Sequence, residues 1–334
     1  MKVFIDSYNN VMQHGGGGVP MRIRKFQAYF SKLGIQSSLF NKWKDNLSDC
    51  DILHIFKANL DSYAQIVFAK KLGKKVVISS VVPQENANII RLALFLNKLF
   101  RVQNTYSLLK QSFILSDAII AQTQKEKEFI RRVYRIAGDK IYVIPNGVNE
   151  SILSTYDLDN KKDIILCVGR FDRNKNQLSL IKSLSGTDYE CHFVGGKAID
   201  EPDYYDLCLA EASHNNNIHF HGWLEANSEE FLTLYKRAKV VALVSHHEIF
   251  GNSLIEGGAC GANLVATKVL PTDEWGFGDT CVKVDCSNLE DLRRGIKAAF
   301  DKPVNKDIHN IVVKKFSWEN IAQKHIELYR TLLR

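Results

Sequence analysis

Three groups of residues have types and spacings suited to chemistry on an anionic substrate. The first is Gly15-Gly16-Gly17-Gly18, between a short apolar run and an amphipathic stretch. Glycines there let the backbone approach a ligand and leave the first N–H groups of a helix open to an anion. No Gly-Lys-Ser/Thr follows, so the run is not a P-loop, and it lacks the spacing and acidic partner of a dinucleotide fingerprint. A flexible turn explains it equally well. The second group is Val168-Gly169-Arg170-Phe171-Asp172-Arg173-Asn174-Lys175-Asn176. A buried strand ending at Gly169 and a helix starting near Asn176 would set Arg170 and Lys175 beside a helix N-terminus. Two cations and a helix dipole suit a diphosphate. A solvated basic turn is the plainer alternative. The third group runs from Glu248 to Glu256 across a strand-to-helix junction. Gly251 and Asn252 offer open N–H groups, again suited to phosphate. Ser253 and Glu256 have capping-box spacing, with Ser253 as N-cap and Glu256 at the third helical position, so Glu256 also has a purely structural reading. Gly251-Asn252-Ser253-Leu254-Ile255 misses the GxSxG nucleophile pattern at its last position.

Other constellations are weaker. Asp157-Leu158-Asp159 is a DxD string, but it lies in a polar stretch that reads as a linker. His219-Phe220-His221 and His246-His247 could ligate zinc, yet no third ligand stands at a matching spacing. The expectation is therefore no metal. Seven scattered cysteines without a CxxC pair are expected to be reduced, mostly buried thiols of a cytosolic protein.

The elements that must position these residues alternate strand and helix. Strands are expected at 2–5, 51–56, 75–80, 118–122 and 140–144, with helices at 20–33, 63–72 and 124–135. Residues 156–163 read as a linker, after which the alternation restarts. The second series places strands at 164–168, 191–194, 218–220, 240–244 and 263–266, with helices at 176–184, 204–213, 229–238 and 252–260. Short apolar runs separated by helices imply parallel sheets covered on both faces. Two such units joined by a linker would leave a cleft, and open α/β sheets bind ligands beyond the carboxyl ends of their strands. Residues 316–332 carry a helical apolar stripe through Trp318, Ile321, Ala322, His325, Ile326, Tyr329 and Leu332.

Composition agrees with a globular protein: 334 residues, 45% hydrophobic and 24% charged, which excludes disorder, collagen and disulfide scaffolds. Residues 1–148 carry 22 basic and 10 acidic side chains, a net of +12, whereas residues 149–334 carry 22 and 27, a net of −5. The basic half predicts an anionic partner. Nucleic acid is not expected, because no recognition motif or stacking platform accompanies the charge. The start, MKVFIDSYNN, does not read as a signal peptide. No apolar run is long enough to span a bilayer. Residues 91–113 are apolar and basic without acids; Leu92, Phe95, Leu96, Leu99 and Phe100 recur at helical spacing, beside Arg91, Lys98, Arg101 and Lys110. A helix lying on an anionic membrane surface and a core helix with a basic outer face both fit.

Together the motifs resemble the retaining glycosyltransferases of the GT-B fold, family-four type (glycosyl transferases group 1). The resemblance rests on residues 143–148 (VIPNGV), 168–176, 220–224 (FHGWL), the E-x7-E element running on into 257–267 (GGACGANLVAT), and the terminal FSWENIAQKHIELY. It covers the second half and the glycine-rich first loop, in the family's order. It implies an α/β protein of two Rossmann-like doubly wound domains facing across a cleft: an acceptor-side domain at 1–150, a nucleotide-sugar domain at 151–314, and a C-terminal helix at 315–334 crossing back to the first domain. It further implies that Arg170 and Lys175 hold and stabilise the departing diphosphate and that Glu248 faces the transferred sugar. Glu256 would bind the ribose hydroxyls, and Trp223 marks where backbone meets the nucleobase. Gly169, Phe250, Gly251, Asn252, Ser253 and Leu254 would complete the donor site, with Gly15, Gly16, Gly17 and Gly18 closing over the diphosphate. Two departures stand out. Relatives carry a histidine after an early strand, where this chain has Ser79-Ser80-Val81-Val82-Pro83; His54 is the nearest substitute for a sugar contact. The family's Lys-Gly is Lys175-Asn176 here.

The implied activity is metal-independent transfer of a sugar from a nucleotide diphosphate sugar, UDP-sugar ahead of GDP-sugar, to a hydroxyl of a glycan or lipid-linked saccharide. No cofactor is expected. The expected location is cytoplasmic, peripheral on the inner face of the cell membrane. The alternatives are a nucleotide-sugar 2-epimerase or a phosphorylase of the same fold, and a non-catalytic nucleotide- or glycan-binding subunit.

Overall fold

The computed structural model describes all residues except 9, 10, 12, 14–17, 83–85, 101 and 305. The chain forms two compact units. One comprises Met1–Gly147 with Trp318–Arg334, and the other Val148–Ser317.

The first unit is built on six parallel strands: β1 (Lys2–Ser7), β2 (Gln36–Leu39), β3 (Ile52–Phe56), β4 (Lys75–Ser79), β5 (Ala118–Ala121) and β6 (Ile141–Val143), in the order β2-β1-β3-β4-β5-β6. Successive side chains of a strand point to opposite faces, and both faces are buried here. Val3, Ile5, Ile52, Phe56 and Val77 pack on one side, and Phe4, Leu53, Ile55, Val76 and Ile78 on the other. Burial on both faces explains why these strands read as unbroken apolar runs. The first face is covered by the helices Gly18–Lys32 and Trp318–Leu333, whose Phe26, Phe30, Ile321, Ile326 and Tyr329 enter the same core.

The second unit repeats the design with β7 (Lys162–Val168), β8 (Glu190–Val194), β9 (Ile218–Phe220), β10 (Ala238–Leu243), β11 (Asn263–Thr267) and β12 (Cys281–Val284), all parallel, in the order β12-β11-β10-β7-β8-β9. That is the doubly wound order whose strand sequence reverses between β7 and β10, the switch point at which such sheets open a crevice.

Several expected elements differ. β2 and β12 have no counterpart among the expected strands. Both are edge strands with partly exposed residues, so neither shows a continuous apolar run. Residues 91–113 are not one helix but two, Ala87–Phe100 and Thr105–Leu115; Asn104 stops the run by forming a reciprocal capping box with Ser107. The stretch 124–135 is α-helical only over Gln124–Phe129 and continues as a wider π-type turn to Tyr134, closed by left-handed Arg135. Ser317 is extended and separates the helix Asp307–Phe316 from Trp318–Leu333. All seven cysteines are free and buried, and burial pushes the Cys167, Cys260 and Cys281 thiols up to about 12.

Candidate functional site

The loop after β7 turns on Asp172, a buried carboxylate. Its Oδ1 accepts the Lys175 amide at 2.9 Å, while its Oδ2 accepts Arg170 Nε and Nη2 at 3.0 and 2.9 Å. The Arg170 guanidinium remains 57% exposed, so one buried anion orients a cation that stays available to solvent. Behind this loop Gly195, at φ +152°, lies so close that a Cβ would collide with the Gly169 carbonyl oxygen. Only glycine allows that approach.

The loop after β10 is fastened to the loop after β7 through Asn174. Its carbonyl accepts the His246 amide at 2.8 Å, its Oδ1 accepts the His247 amide at 2.9 Å, and its Nδ2 donates to the His247 carbonyl at 3.0 Å. This three-point attachment brings Lys175 onto Glu248. The two form an ion pair between Lys175 Nζ and Glu248 Oε1, and Ser245 Oγ donates to the same oxygen at 3.1 Å. Both members are mostly buried. An acid and a base 73 residues apart thus meet at the carboxyl ends of β7 and β10, beside the switch point.

Asn176 accounts for the Lys-Asn departure. It sits at φ +58°, ψ 31°, a left-handed conformation that glycine and, next best, asparagine tolerate. Its Nδ2 donates to the Cys286 carbonyl at 2.8 Å, and its Oδ1 accepts Ser179 Oγ at 2.7 Å. The helix Gln177–Leu184 then starts without a side-chain cap, and no acidic residue lies in its first turn.

The expected capping box of Ser253 and Glu256 is absent. Gly251 is the N-cap, at φ +71°, and the helix spans Asn252–Ala259, which makes Glu256 its fifth residue. Glycine permits the earlier start, whereas a Cβ on Gly251 would stand 2.8 Å from Leu243 Cδ2. Glu256 is therefore not consumed by capping. It accepts the Tyr235 hydroxyl at 2.8 Å, and burial pushes its pKa up to about 7, against the lowering effect of that bond. Phe250 and Leu254 turn their side chains into the core. The Leu254 amide already bonds the Gly251 carbonyl at 3.1 Å. Any contact of Phe250 with a ligand would thus come from its backbone rather than its side chain. Gly222 is left-handed at φ +66°, its carbonyl accepts the Gly195 amide at 2.8 Å, and the adjacent Trp223 is exposed.

In the first unit, Gly15, Gly16 and Gly17 lie outside the described residues; Gly18 is the exposed first residue of its helix. His54 is fully buried, its Nε2 paired with Ser79 Oγ at 2.8 Å and its Nδ1 with Tyr329 OH at 2.6 Å. With both nitrogens engaged and no surface, it ties β3 and β4 to the terminal helix and does not present itself to a sugar. Ser80, within the stretch that lacks the histidine, donates to Glu126 at 2.9 Å. Burial raises Glu126 to about 7. Arg22, which sequence reasoning passed over, is buried over the Phe56 ring, and none of its three side-chain nitrogens has a hydrogen-bond partner among the described residues. Burial lowers its pKa to about 10, with Glu126 opposing the shift. Asp157 of the DxD string accepts the amides of Asp159 and Asn160, both at 3.1 Å, and so organises its own turn.

Asp172, Asn174, Tyr235 and Ser245 also escaped the sequence reading. Asp172 and Asn174 lie inside the basic motif, in which only the cations Arg170 and Lys175 point to chemistry. Tyr235 comes from another helix and carries no local signal.

Comparisons with known proteins agree with this architecture. The family profile described as Glycosyl transferases group 1 matches residues 148–327, and that described as Glycosyltransferase Family 4 matches residues 4–152. A protein described as probable sucrose-phosphate synthase from Thermosipho melanesiensis is 28% identical over 233 residues, covering 63% of this chain and 53% of its own. The chain spans about half the length of the curated relatives it matches. Among solved structures, the sucrose-phosphate synthase of Thermosynechococcus elongatus superposes with a TM-score of 0.74 at 16% identity, covering 99% of each chain. Alr3699/HepE of Anabaena, solved in complex with UDP, gives 0.73 at 15% identity, covering 99% of this chain and 100% of its own. These likenesses show the GT-B fold of two Rossmann-like domains.

Proposed function

The chain belongs to the glycosyl transferases group 1 family, and from that premise we propose that it transfers a sugar, with retention of configuration, from a nucleoside diphosphate donor to a hydroxyl of a glycan or lipid-linked saccharide. The observation that carries this reading is the Lys175–Glu248 pair at the switch point, with Arg170 held beside it on Asp172. Departure of a nucleoside diphosphate leaves positive charge on the sugar and negative charge on the leaving oxygen. Lys175 and Arg170, oriented before the reaction, offset the latter, so this reading calls for no metal. Glu248 orients Lys175 through their ion pair and, in this reading, faces the reacting carbon of the sugar. Glu256 accepts ribose hydroxyls, and Trp223 follows the backbone that meets the base. UDP is favoured over GDP; the UDP-bound Anabaena protein of the same fold supports that order.

The experiment is a thermal-shift series with UDP, GDP, ADP and CDP, followed by turnover of the matching nucleotide sugars. A ligand at about 100 times its Kd raises folded-state stability by about 2.7 kcal/mol, a shift of a few degrees at this size. UDP is expected to stabilise the wild type and not Arg170→Ala/Lys175→Ala. Glu248→Gln, which releases Lys175 from its carboxylate, is expected to bind UDP at least as tightly while losing turnover. Stabilisation of the double variant equal to wild type removes the two cations from the site.

The reading extends to a membrane-apposed acceptor. In the helix Ala87–Phe100 only Ile90 is buried, and Leu92, Phe95, Leu99 and Phe100 are each more than half exposed beside Arg91 and Lys98. No helix among the described residues is long and apolar enough to cross a membrane. An apolar face flanked by cations fits the surface of an anionic bilayer. Flotation with vesicles containing phosphatidylglycerol should retain the wild type and release Phe95→Ser/Leu99→Ser; retention independent of both lipid charge and these residues removes this extension.

A further inference from the structure

Five titratable side chains line up on one side of the β8–β9 edge of the second unit. β8 and β9 pair in parallel with His192 opposite His219. Glu190 and His192 therefore share a face with His219, and His221 continues that row just past β9. Glu190 Oε1 lies 2.9 Å from His192 Nε2 and 3.6 Å from His219 Nε2. Beyond, His192 Nδ1 lies 2.8 Å from His221 Nε2, and His221 Nδ1 lies 2.9 Å from Glu230 Oε1 on the helix Glu229–Arg237.

The hydrogens of this chain do not add up for neutral rings. Ionised carboxylates only accept, and a neutral imidazole carries one N–H. Between Glu230 and Glu190 there are three short contacts, each needing one hydrogen, but His221 and His192 supply only two. If Glu230 takes the Nδ1–H of His221, then His221 Nε2 accepts from His192 Nδ1, and His192 Nε2 faces Glu190 with a bare lone pair. A positive centre at that junction resolves the conflict. His219 joins the chain at this same end. The ligand atoms of Glu190, His192 and His219 all fall within 4.8 Å of one another. In a tetrahedral zinc site with bonds of about 2.0–2.1 Å, ligand atoms stand about 3.3 Å apart, so small side-chain rotations close the set.

We infer that Glu190, His192 and His219 form a binding site for a divalent transition-metal ion of the zinc class. His221 and Glu230 form a relay behind it that fixes the His192 tautomer, as outer partners do for metal-bound imidazoles. Three protein ligands leave one position for water. Two nitrogens and one carboxylate oxygen favour zinc over magnesium, which prefers an all-oxygen shell. Glu190 opens β8, so the site lies away from the strand ends that carry Arg170, Lys175 and Glu248, and its occupancy is independent of the transfer chemistry.

The test uses the full chain after EDTA treatment and dialysis, titrated calorimetrically with ZnCl2 and with MgCl2, and optically with CoCl2. One equivalent of Zn2+ should bind and Mg2+ should not. The Co2+ spectrum should show tetrahedral d–d bands without the intense near-ultraviolet absorption of thiolate ligation, which separates this site from the seven cysteines. Glu190→Gln and His219→Gln, both at partly exposed positions, should each weaken Zn2+ at least 10-fold, and Glu230→Gln about 10–100-fold. Equal thermal midpoints in EDTA verify that the variants fold. Absence of Zn2+ binding by the wild type, thiolate absorption with Co2+, or unchanged affinity in both Glu190→Gln and His219→Gln overturns the assignment; in the first case the missing charge is a proton.

Discussion

At the residue scale, Glu256 links the candidate site to solution pH. Its carboxyl is raised from 4.5 to about 7 by burial. A raised carboxyl favours folding in its protonated form, so its contribution is intact below pH 4.5 and is lost as pH rises toward 7. The upper limit of the effect is about 3 kcal/mol, less to the extent that the group reaches solvent. The denaturation midpoint of the wild type should therefore fall relative to that of Glu256→Gln between about pH 5 and 7.5 and run parallel above; parallel curves throughout would refute the shift. A ribose that donates its hydroxyls to Glu256 would favour the carboxylate, so nucleotide binding near neutrality should release protons in the wild type beyond those released in Glu256→Gln. How far the sequence foretells such residues depends on where their partners lie. Arg170 and Lys175 are legible because cations, strand end and helix start are contiguous. The Glu190–His192–His219 set is not, because parallel pairing joins ligands 27 residues apart, and the spacing of His219-Phe220-His221 alone offers no third ligand. His54 reads as a sugar contact only until Tyr329, 275 residues away, takes its second nitrogen.

At the scale of elements, left-handed Asn176 opens the helix Gln177–Leu184 directly after Lys175. Replacing Asn176 by alanine imposes a left-handed penalty of about 1–2 kcal/mol and removes the bonds to Cys286 and Ser179, each worth about 1 kcal/mol. Asn176→Ala is expected to destabilise by about 3–4 kcal/mol. Asn176→Gly, which keeps the conformation and loses only the bonds, should destabilise less. Urea denaturation of the two variants gives the order, and the reverse order would place the importance of this residue in its side chain alone. Strand and helix alternation was readable wherever strands are buried on both faces. It failed at β2 and β12, which lie at sheet edges, and at Asn104, whose side chain competes for the backbone within an otherwise unbroken apolar stripe. It failed again at Gly251, whose left-handed backbone starts the helix before the serine that local pattern favours.

At the scale of the whole molecule, the first unit is discontinuous in sequence, and residues 318–334 complete it. Trp318, Ile321, Ile326 and Tyr329 are buried in the same cluster as Val3, Phe26 and Phe56. A chain ending at residue 317 should lose the cooperative unfolding of the first unit. Residues 148–317, which contain both core clusters of the second sheet, should retain a sharp transition of their own. Scanning calorimetry of the two pieces checks this; a cooperative first unit without residues 318–334 would contradict it. The points where the chain enters and leaves the second unit are adjacent, since the Val148 amide bonds the Phe316 carbonyl at 2.7 Å and Val148 bridges Ser317. That arrangement has a consequence for biosynthesis. As the chain leaves the ribosome, the unit that starts first is completed only after the other: its sheet must wait, with one hydrophobic face covered only by the helix Gly18–Lys32, through 170 residues of the inserted unit before the helix Trp318–Leu333 is made. Chaperone dependence should accordingly concentrate on nascent chains that have not yet released residues 318–334, and it should fall sharply for a circular permutant that places these residues ahead of β1.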